Sequence, residues 1–444
     1  MTHPYIPNAE PAVRAEMLAA IGVDSVEDFY ADIPAALRLD RPLDLPAPMA
    51  SEYELVRHMR GLLGRNTDTT EALSFLGGGC YPHYVPAVCD EVNSRGEFLT
   101  AYAGEPYEDH GRFQALFEYV SMMGELLELD VVNVPTYDGF QASGTALRMA
   151  ARYTGRSKVL VTAAIGADKL SKLRDFLAPD LEITMIPVTA GGEAGEFTVD
   201  DTVAAVYLES PNSYGVVETR IAEIAELAHD RGALLVVSAD PISLGVLAPP
   251  ATLGADIVCG DIQSLGIHQN YGGGHAGYLA TRDEQRLVAE FPSRLFGIAP
   301  TAVPGEYGFG DVFYDRTSFA IREEGKEWVG TAAALWGITA GVYLALMGPQ
   351  GMREVGETIL ARTRYAMTEL AAVPGVSVKH AEGVHFREFA IEVADTDTLL
   401  TALRGRGIYA GIALDANTLL VCVTERHSKD DIDTLVRAVR EVQG

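Results

Sequence analysis

The stretch ALLVVSADPISLG, residues 233–245, decides the fold. An apolar run with adjacent valines, interrupted only by Ser238, ends at Asp240, and Pro241 then removes a ladder donor. A run of that length between turn residues reads as a strand buried on both faces. Similar runs recur as KVLVTAA (158–164), EITMIPV (182–188), AAVYLES (204–210) and IVCG (257–260). Segments with helical spacing come with them, among them GRFQALFEYVSMMGELLEL (111–129) and TALRMAARYTG (145–155). Strands alternating with helices predict an α/β domain with a mostly parallel sheet covered on both faces. In such sheets ligands sit beyond the C-terminal strand ends. The loops to search are therefore SPNSYG (210–215), ADPISLG (239–245) and DIQSLGIHQNYGGGHAG (261–277).

Outward from this core, residues 1–65 read as a helical arm wrapping a neighbour or the parent domain. AEMLAAIGVDSVEDFYADI (15–33) has helical spacing, with Asp24-Ser25 at a helix start, and RPLDLPAPMA (41–50) is extended. Residues 66–330 form the expected large domain, turn-rich after about 300. A linking helix, VGTAAALWGITAGVYLALMG (329–348), leads into a small C-terminal α+β domain, so 331–444 forms the third part. Its expected strands are VSVKH (376–380), REFAIEV (387–393) and LLVCVTE (419–425), and DDIDTLVRAVREV (430–442) is its last helix.

The chain carries 62 acidic against 34 basic residues, a formal charge of −28 spread along its length. Such a surface repels phosphate backbones and anionic lipid, so neither nucleic acid nor a membrane is an expected partner. The four cysteines, Cys80, Cys89, Cys259 and Cys422, form no C-x-x-C pair, and no histidines cluster at ligand spacing. Neither a metal site nor a disulfide framework is expected. Cys89 and Cys422 read as core; Cys80, after three glycines, lines a site, belongs to the core or is simply exposed. The N-terminus lacks a signal peptide's basic start and apolar middle, and no run approaches ~18 apolar residues. The expectation is a cytoplasmic protein.

Four constellations carry candidate chemistry. DGFQASGTALRMAA (138–151) places Ser143, Gly144 and Thr145 in a turn that opens a helix, which suits a phosphate or is an ordinary cap. Asp240 follows an apolar strand. In pyridoxal-phosphate enzymes an Asp there keeps the pyridine nitrogen protonated; otherwise it starts a turn. The 260–277 loop offers three glycines with His268 and His275, for ligand approach or a tight turn. FLGGGCYPHYVP (75–86) and EFLTAY (97–102) bring Tyr81, His83, Thr100 and Tyr102, lining a cleft or turning a corner.

Together these segments resemble the glycine decarboxylase family, the P-protein of the glycine cleavage system. The resemblance runs in order through YIPNAEPAVRAEMLAAIGVDSVEDFYADIP, FLGGGCYPHYVPAV, EFLTAY, FEYVSMMGELLELDV, ADPISLG, GADIVCGDIQSLG and HFREFAI, to LLVCVTERHSKDDIDTLV. Many ordered matches are more specific than any one. The resemblance implies a fold-type I pyridoxal-phosphate-dependent transferase architecture and the α subunit of the two-subunit form. It implies a homologous β subunit, in an α2β2 assembly, whose lysine holds the cofactor. Glycine then loses carbon dioxide, and the aminomethyl group passes to the lipoyl group of a carrier, the H-protein. Asp240 becomes a vestige or analogue of the pyridinium partner. Tyr81, His83, Thr100, Tyr102 and His110 become candidates for the channel.

A Schiff base needs a lysine on the loop after the Asp-bearing strand. The chain has six lysines, Lys158, Lys169, Lys172, Lys326, Lys379 and Lys429. None lies in the 260–277 loop, where Gln263-Ser264 stand in the place of the β chain's His-Lys pair. Ser264 occupies the expected lysine position, and only Lys326 lies in an irregular region near the domain junction. The cofactor is therefore expected on the partner and the isolated chain is expected to be inactive. The resemblance lapses at AGEPYEDHG (103–111), where the family α chain runs TPYQPEISQG, and at REEGKEWVGT (322–331), where it runs REKATSNICT. A diverged subunit acting on another amino acid, and a non-catalytic scaffold, are the alternative expectations.

Overall fold

The structure, a computed structural model, describes residues 5–6, 10–69, 71–99, 110–318, 323, 325–327, 329 and 332–443, with the backbone alone at 110 and 111. It divides into two compact units, Met1–Thr67 and Asp68–Gly444.

In the first unit, helices α1 (Pro11–Ile21) and α2 (Glu52–Leu63) bury no residue. The helical spacing of 15–33 is interrupted at Gly22, whose φ of 78° ends α1 in the left-handed region. Ser25 then begins a short 3-10 turn, Val26–Tyr30, closed by a reciprocal cap with Asp28. The helix start expected at Asp24-Ser25 is thus a single turn.

The second unit is built on a seven-stranded sheet. Its strands are β1 (Val131–Val132), β2 (Lys158–Thr162), β3 (Glu182–Ile186), β4 (Val203–Ser210), β5 (Leu234–Ala239), β6 (Ile257–Asp261) and β7 (Gly277–Thr281). The spatial order is β1-β7-β6-β5-β4-β2-β3. Neighbours from β6 to β3 run parallel, whereas β7 runs antiparallel to both β6 and β1. The central strands are buried on both faces, because helices cover them. Val206, Leu235 and Val258 face one apolar cluster, and Val161, Tyr207 and Val236 face another.

Four strand ends and one helix start share an edge. Helix α3 (His110–Leu127) precedes β1, and Asp138 caps helix α4 (Gly139–Thr154) by accepting the Gln141 N–H at 2.7 Å. Helix α5 (Ala167–Leu177) starts just beyond β2. Beyond β4, β5 and β6 come Asn212, Asp240 and Gln263.

A further core gathers Phe75, Leu370, Phe389, Val421 and Leu435. It holds a four-stranded sheet that includes Glu388–Glu392 and Thr418–Cys422. The long helix Ala334–Ala371 breaks at Gly348, with φ 60° and ψ −179°, ahead of Pro349. The segment 386–388 meets the loop after β4 at Gly215, whose carbonyl accepts the Phe386 N–H at 2.9 Å. Among the described residues no helix is long and apolar enough to cross a membrane.

Gly215 has φ 77°, and a Cβ there would lie 1.8 Å from the Glu388 carbonyl oxygen. Neither the left-handed backbone nor the neighbouring main chain admits a methyl group. Gly215→Ala should cost about 2 kcal/mol or more, read as a fall in the urea midpoint at unchanged slope.

Candidate functional site

The strand ends open into a cleft of about 720 Å³ lined by residues of the sheet edge, of the 78–81 loop and of the 387–388 segment. Its floor is a buried charge network. Arg387, with a side chain only 3% exposed, places Nη2 2.5 Å from Asp240 Oδ2. Burial is the largest influence and works against the guanidinium's charge, but Asp240, Tyr81, Cys422 and Glu388 together outweigh it and its pKa is raised. The same guanidinium lies 3.3 Å over the centre of the Tyr81 ring. Its Nη1 donates to His83 Nε2 at 2.7 Å. Arginine can only donate, so Nε2 must accept, and Nδ1 carries the proton toward Glu425 at 2.7 Å. Arg387 has φ 65°, a strained value for a residue that carries a Cβ, and these contacts hold it there.

Glu388 extends the network. It accepts the Gly78 N–H at 2.7 Å and the Tyr81 hydroxyl at 3.0 Å. Burial is the largest influence and raises its pKa, so it takes up a proton more readily than an ordinary glutamate. Burial also opposes ionisation of Glu425. The His83 ring and the Tyr84 N–H outweigh it, and the carboxyl falls to about 2.

Two further charge groups line the cleft. Lys169, on α5, pairs with Glu209 of β4 at 2.6 Å. Burial is the largest influence and works against its charge, but Glu209 with Tyr207 and Cys259 prevails and the pKa is raised, so the amine stays protonated and unreactive. At the start of α4, Asp261 Oδ2 accepts the Gly139 N–H at 2.8 Å. Asp261 also contacts His275 Nδ1 at 3.1 Å.

The residues singled out from sequence fall in different places. Tyr81, Asp240, Gln263 and Ser264 line the cleft. His83 stands behind Arg387. Gln263 Oε1 accepts the Tyr81 N–H at 2.8 Å, and its amide donates to the Tyr81 and Ile267 carbonyls. Ser264 Oγ lies 3.5 Å from Asp240 Oδ1. Ser143, Gly144 and Thr145 do not open the helix. They are buried inside α4, because Asp138 and the returning Gln141 side chain cap it earlier. Ser143 accepts from the Tyr207 hydroxyl at 3.0 Å, and Gly144 abuts Phe176. His268 pairs with Asp90 on the surface. Thr100 and Tyr102 lie outside the described residues, as does the His110 side chain.

Sequence reading passed over Arg387, Glu388, Glu209, Asp261 and Glu425. A signal existed for three of them: Glu209, Asp261 and Glu388 are charges set into otherwise apolar strands. Such positions need a buried partner.

Pyridoxal phosphate does not fit this cleft. The carboxylate that would face a pyridine nitrogen is already neutralised by Arg387. Two N–H groups that would face a phosphate at the start of α4 serve Asp261 and Asp138. Gln263 and Ser264 bring no amine; of the lysines that line the cleft, Lys169 is committed to Glu209 and Lys172 pairs with Asp168 on the surface of α5, and Lys326 is not among the lining residues.

Removing one member of a buried ion pair strands the other. Arg387→Met should cost about 3–5 kcal/mol, with the double variant Arg387→Met/Asp240→Leu recovering much of it, by urea denaturation. For Glu425 the folded pKa lies below the ordinary 4.5, so its contribution is present above that value. The stability difference between the native chain and Glu425→Gln should be about 2 kcal/mol at neutral pH. It should shrink as the pH drops below 4.5 and vanish near 2.

Comparison with known proteins agrees on one family. The family model for the glycine cleavage system P-protein matches residues 3–439. The probable glycine dehydrogenase (decarboxylating) subunit 1 of Aeropyrum pernix is 37% identical over the full length of both chains. That of Chlorobium limicola is 38% identical over 98% of this chain and 99% of its own. A crystal structure of glycine decarboxylase (P-protein) of the glycine cleavage system, in inhibitor-bound form, superposes with a TM-score of 0.87 at 35% identity, covering both chains fully. The sphingosine-1-phosphate lyase of Burkholderia pseudomallei shares the fold at TM-score 0.66 and 16% identity, over 93% of this chain and 94% of its own. The architecture is the fold-type I pyridoxal-phosphate-dependent one. With a full-length family match and close relatives over its whole length, this chain belongs to the glycine cleavage system P-protein family.

Proposed function

We propose that this chain is the subunit without the Schiff-base lysine in a two-subunit glycine dehydrogenase (decarboxylating), paired with a homologous β subunit that carries that lysine. The observation that carries this reading is the Arg387–Asp240 pair in a cleft whose two lining lysines, Lys169 and Lys172, lie away from the loop after β6 and are paired with Glu209 and Asp168. A chain that neutralises its own pyridine-facing carboxylate leaves the cofactor to a partner. On the partner, pyridoxal phosphate supplies an electron sink for the pair left by departing carbon dioxide. The aminomethyl group passes to the lipoyl group of a carrier H-protein.

This chain's own residues bind and shape. The Tyr81–Arg387–Asp240 stack and the Gln263 amide hold the 78–81 loop against the strand ends. A rigid loop keeps a neighbouring channel in register. The first unit supports a partner as well. Met17, Leu37, Leu45 and Tyr53 are each more than 60% exposed, an apolar surface suited to a second chain. An α2β2 assembly accommodates both contacts. Tyr81 and His83 remain candidates for the channel side of this subunit, with Thr100, Tyr102 and His110. The altered segments 103–111 and 322–331 favour a second reading, a subunit whose complex acts on another amino acid.

The purified full-length chain mixed with pyridoxal phosphate should show no visible cofactor band. Glycine decarboxylation should appear only on adding a lysine-bearing homologue. A borohydride-fixed adduct on Lys169 or Lys326 of the chain alone would overturn the reading.

A further inference from the structure

We infer that His427 is an acid-sensitive latch that holds the 74–84 segment, and with it one wall of the cleft, against the C-terminal sheet. The segment carries Gly78, Gly79, Cys80 and Tyr81, which line the cleft. One turn, residues 424–427 after the strand Thr418–Cys422, supplies anchors at both ends of the segment. At its start, His427 Nε2 lies 2.8 Å from the Ser74 carbonyl, and the ring stacks on Phe75 with centroids 4.5 Å apart. At its end, the Thr424 hydroxyl donates to the Pro82 carbonyl at 2.9 Å. Glu425 accepts the Tyr84 N–H and meets His83 Nδ1, both at 2.7 Å.

The geometry fixes the His427 ring as neutral. Its Nδ1 lies 3.0 Å from the Thr424 backbone N–H, which can only donate. Nδ1 therefore accepts, and the single ring proton sits on Nε2 and goes to the Ser74 carbonyl. One proton thus satisfies both nitrogens of a side chain that is buried, with only 4% of the residue exposed. A second proton would enter at Nδ1, donor against donor. The Thr424 hydroxyl, 3.4 Å from Nδ1, accepts that proton only if the ring gives up the Thr424 N–H. Proton uptake therefore breaks the turn that carries the anchors, and the cleft loses the wall from Gly78 to Tyr81.

The surroundings set the sign. Burial is the largest influence on the ring and lowers its pKa. Asp431, in the first turn of the helix Lys429–Gln443, favours a proton, and Arg426 of the same turn as His427 opposes one. From the long helix Ala334–Ala371, Arg362 donates to the Glu425 carbonyl, while the Glu425 carboxylate is taken by His83. The strand Leu73–Ser74 and Phe75 bring no charge. The open segment, with an imidazole near its ordinary value of about 6.5, binds the proton more tightly than the closed one. Closure is therefore complete above that value and weakens as the pH falls below it. The device belongs to this chain alone and does not depend on the partner.

The test is amide hydrogen exchange of the full-length chain, read by mass spectrometry at about pH 7, 6 and 5.5 and corrected for the intrinsic pH dependence of exchange. Peptides within 74–84 should exchange faster as the pH falls, by up to about eightfold from about pH 7 to 5.5, the limit for one imidazole that titrates near 6.5 when open. A peptide within β4 should not change. His427→Gln keeps an amide that accepts and donates but takes up no proton in this range, so its 74–84 peptides should exchange at one rate throughout; a thermal melt checks that it is folded. The comparison of the two peptides in the native chain stands without the variant. No acceleration in 74–84, equal acceleration in β4, or a pH response that survives in folded His427→Gln and so belongs to His83 or Glu388, would overturn the proposal.

Discussion

A single buried ion pair organises the cleft. Arg387 and Asp240 come from distant parts of the sequence and meet 2.5 Å apart with almost no solvent. Neither charge is tolerable there alone, since an unpaired buried ion costs several kcal/mol. The pair therefore locks the strand end after β5 to the 386–388 segment. The positive φ at Arg387, the tight approach at Gly215 and the stacked Tyr81 ring all follow from bringing those two groups together.

Seen this way, the subunit has kept the architecture of a cofactor enzyme and filled it with its own charges. A guanidinium faces the aspartate that would face a pyridine nitrogen. A carboxylate sits at the helix start that would face a phosphate. The place after β6 that would supply an amine holds a glutamine tied to three backbone groups. Each replacement satisfies the polar groups that the fold places there, as burial demands. The result is a rigid wall, consistent with a chain whose part in catalysis is to complete a complex.

How much of this was legible in the sequence depends on range. The strands at 158–162, 203–210 and 234–239 were readable because apolar runs and turn residues are local signals. Asp240 was readable for the same reason, as the residue after such a run. Arg387 was not. It looks like a surface charge flanking REFAIEV, and only tertiary contact reveals its partners, Asp240 and His83. Ser143, Gly144 and Thr145 misled because a helix boundary is set by whichever cap wins. Asp138 with Gln141 outcompeted the Ser-Gly-Thr turn. The lysine inventory was fully legible, being a matter of counting. What it could not show was that Lys169 reaches the cleft and is held there by Glu209.

The carboxylate of Asp261 is a built-in anion at the start of α4. Because it is tethered 2.8 Å from the Gly139 N–H, its effective concentration at that helix end exceeds what any dissolved anion attains. Inorganic phosphate or a phosphorylated metabolite would have to expel a covalently attached competitor and also repel its charge. That helix end is thus closed to dissolved phosphate while the cellular pool rises and falls.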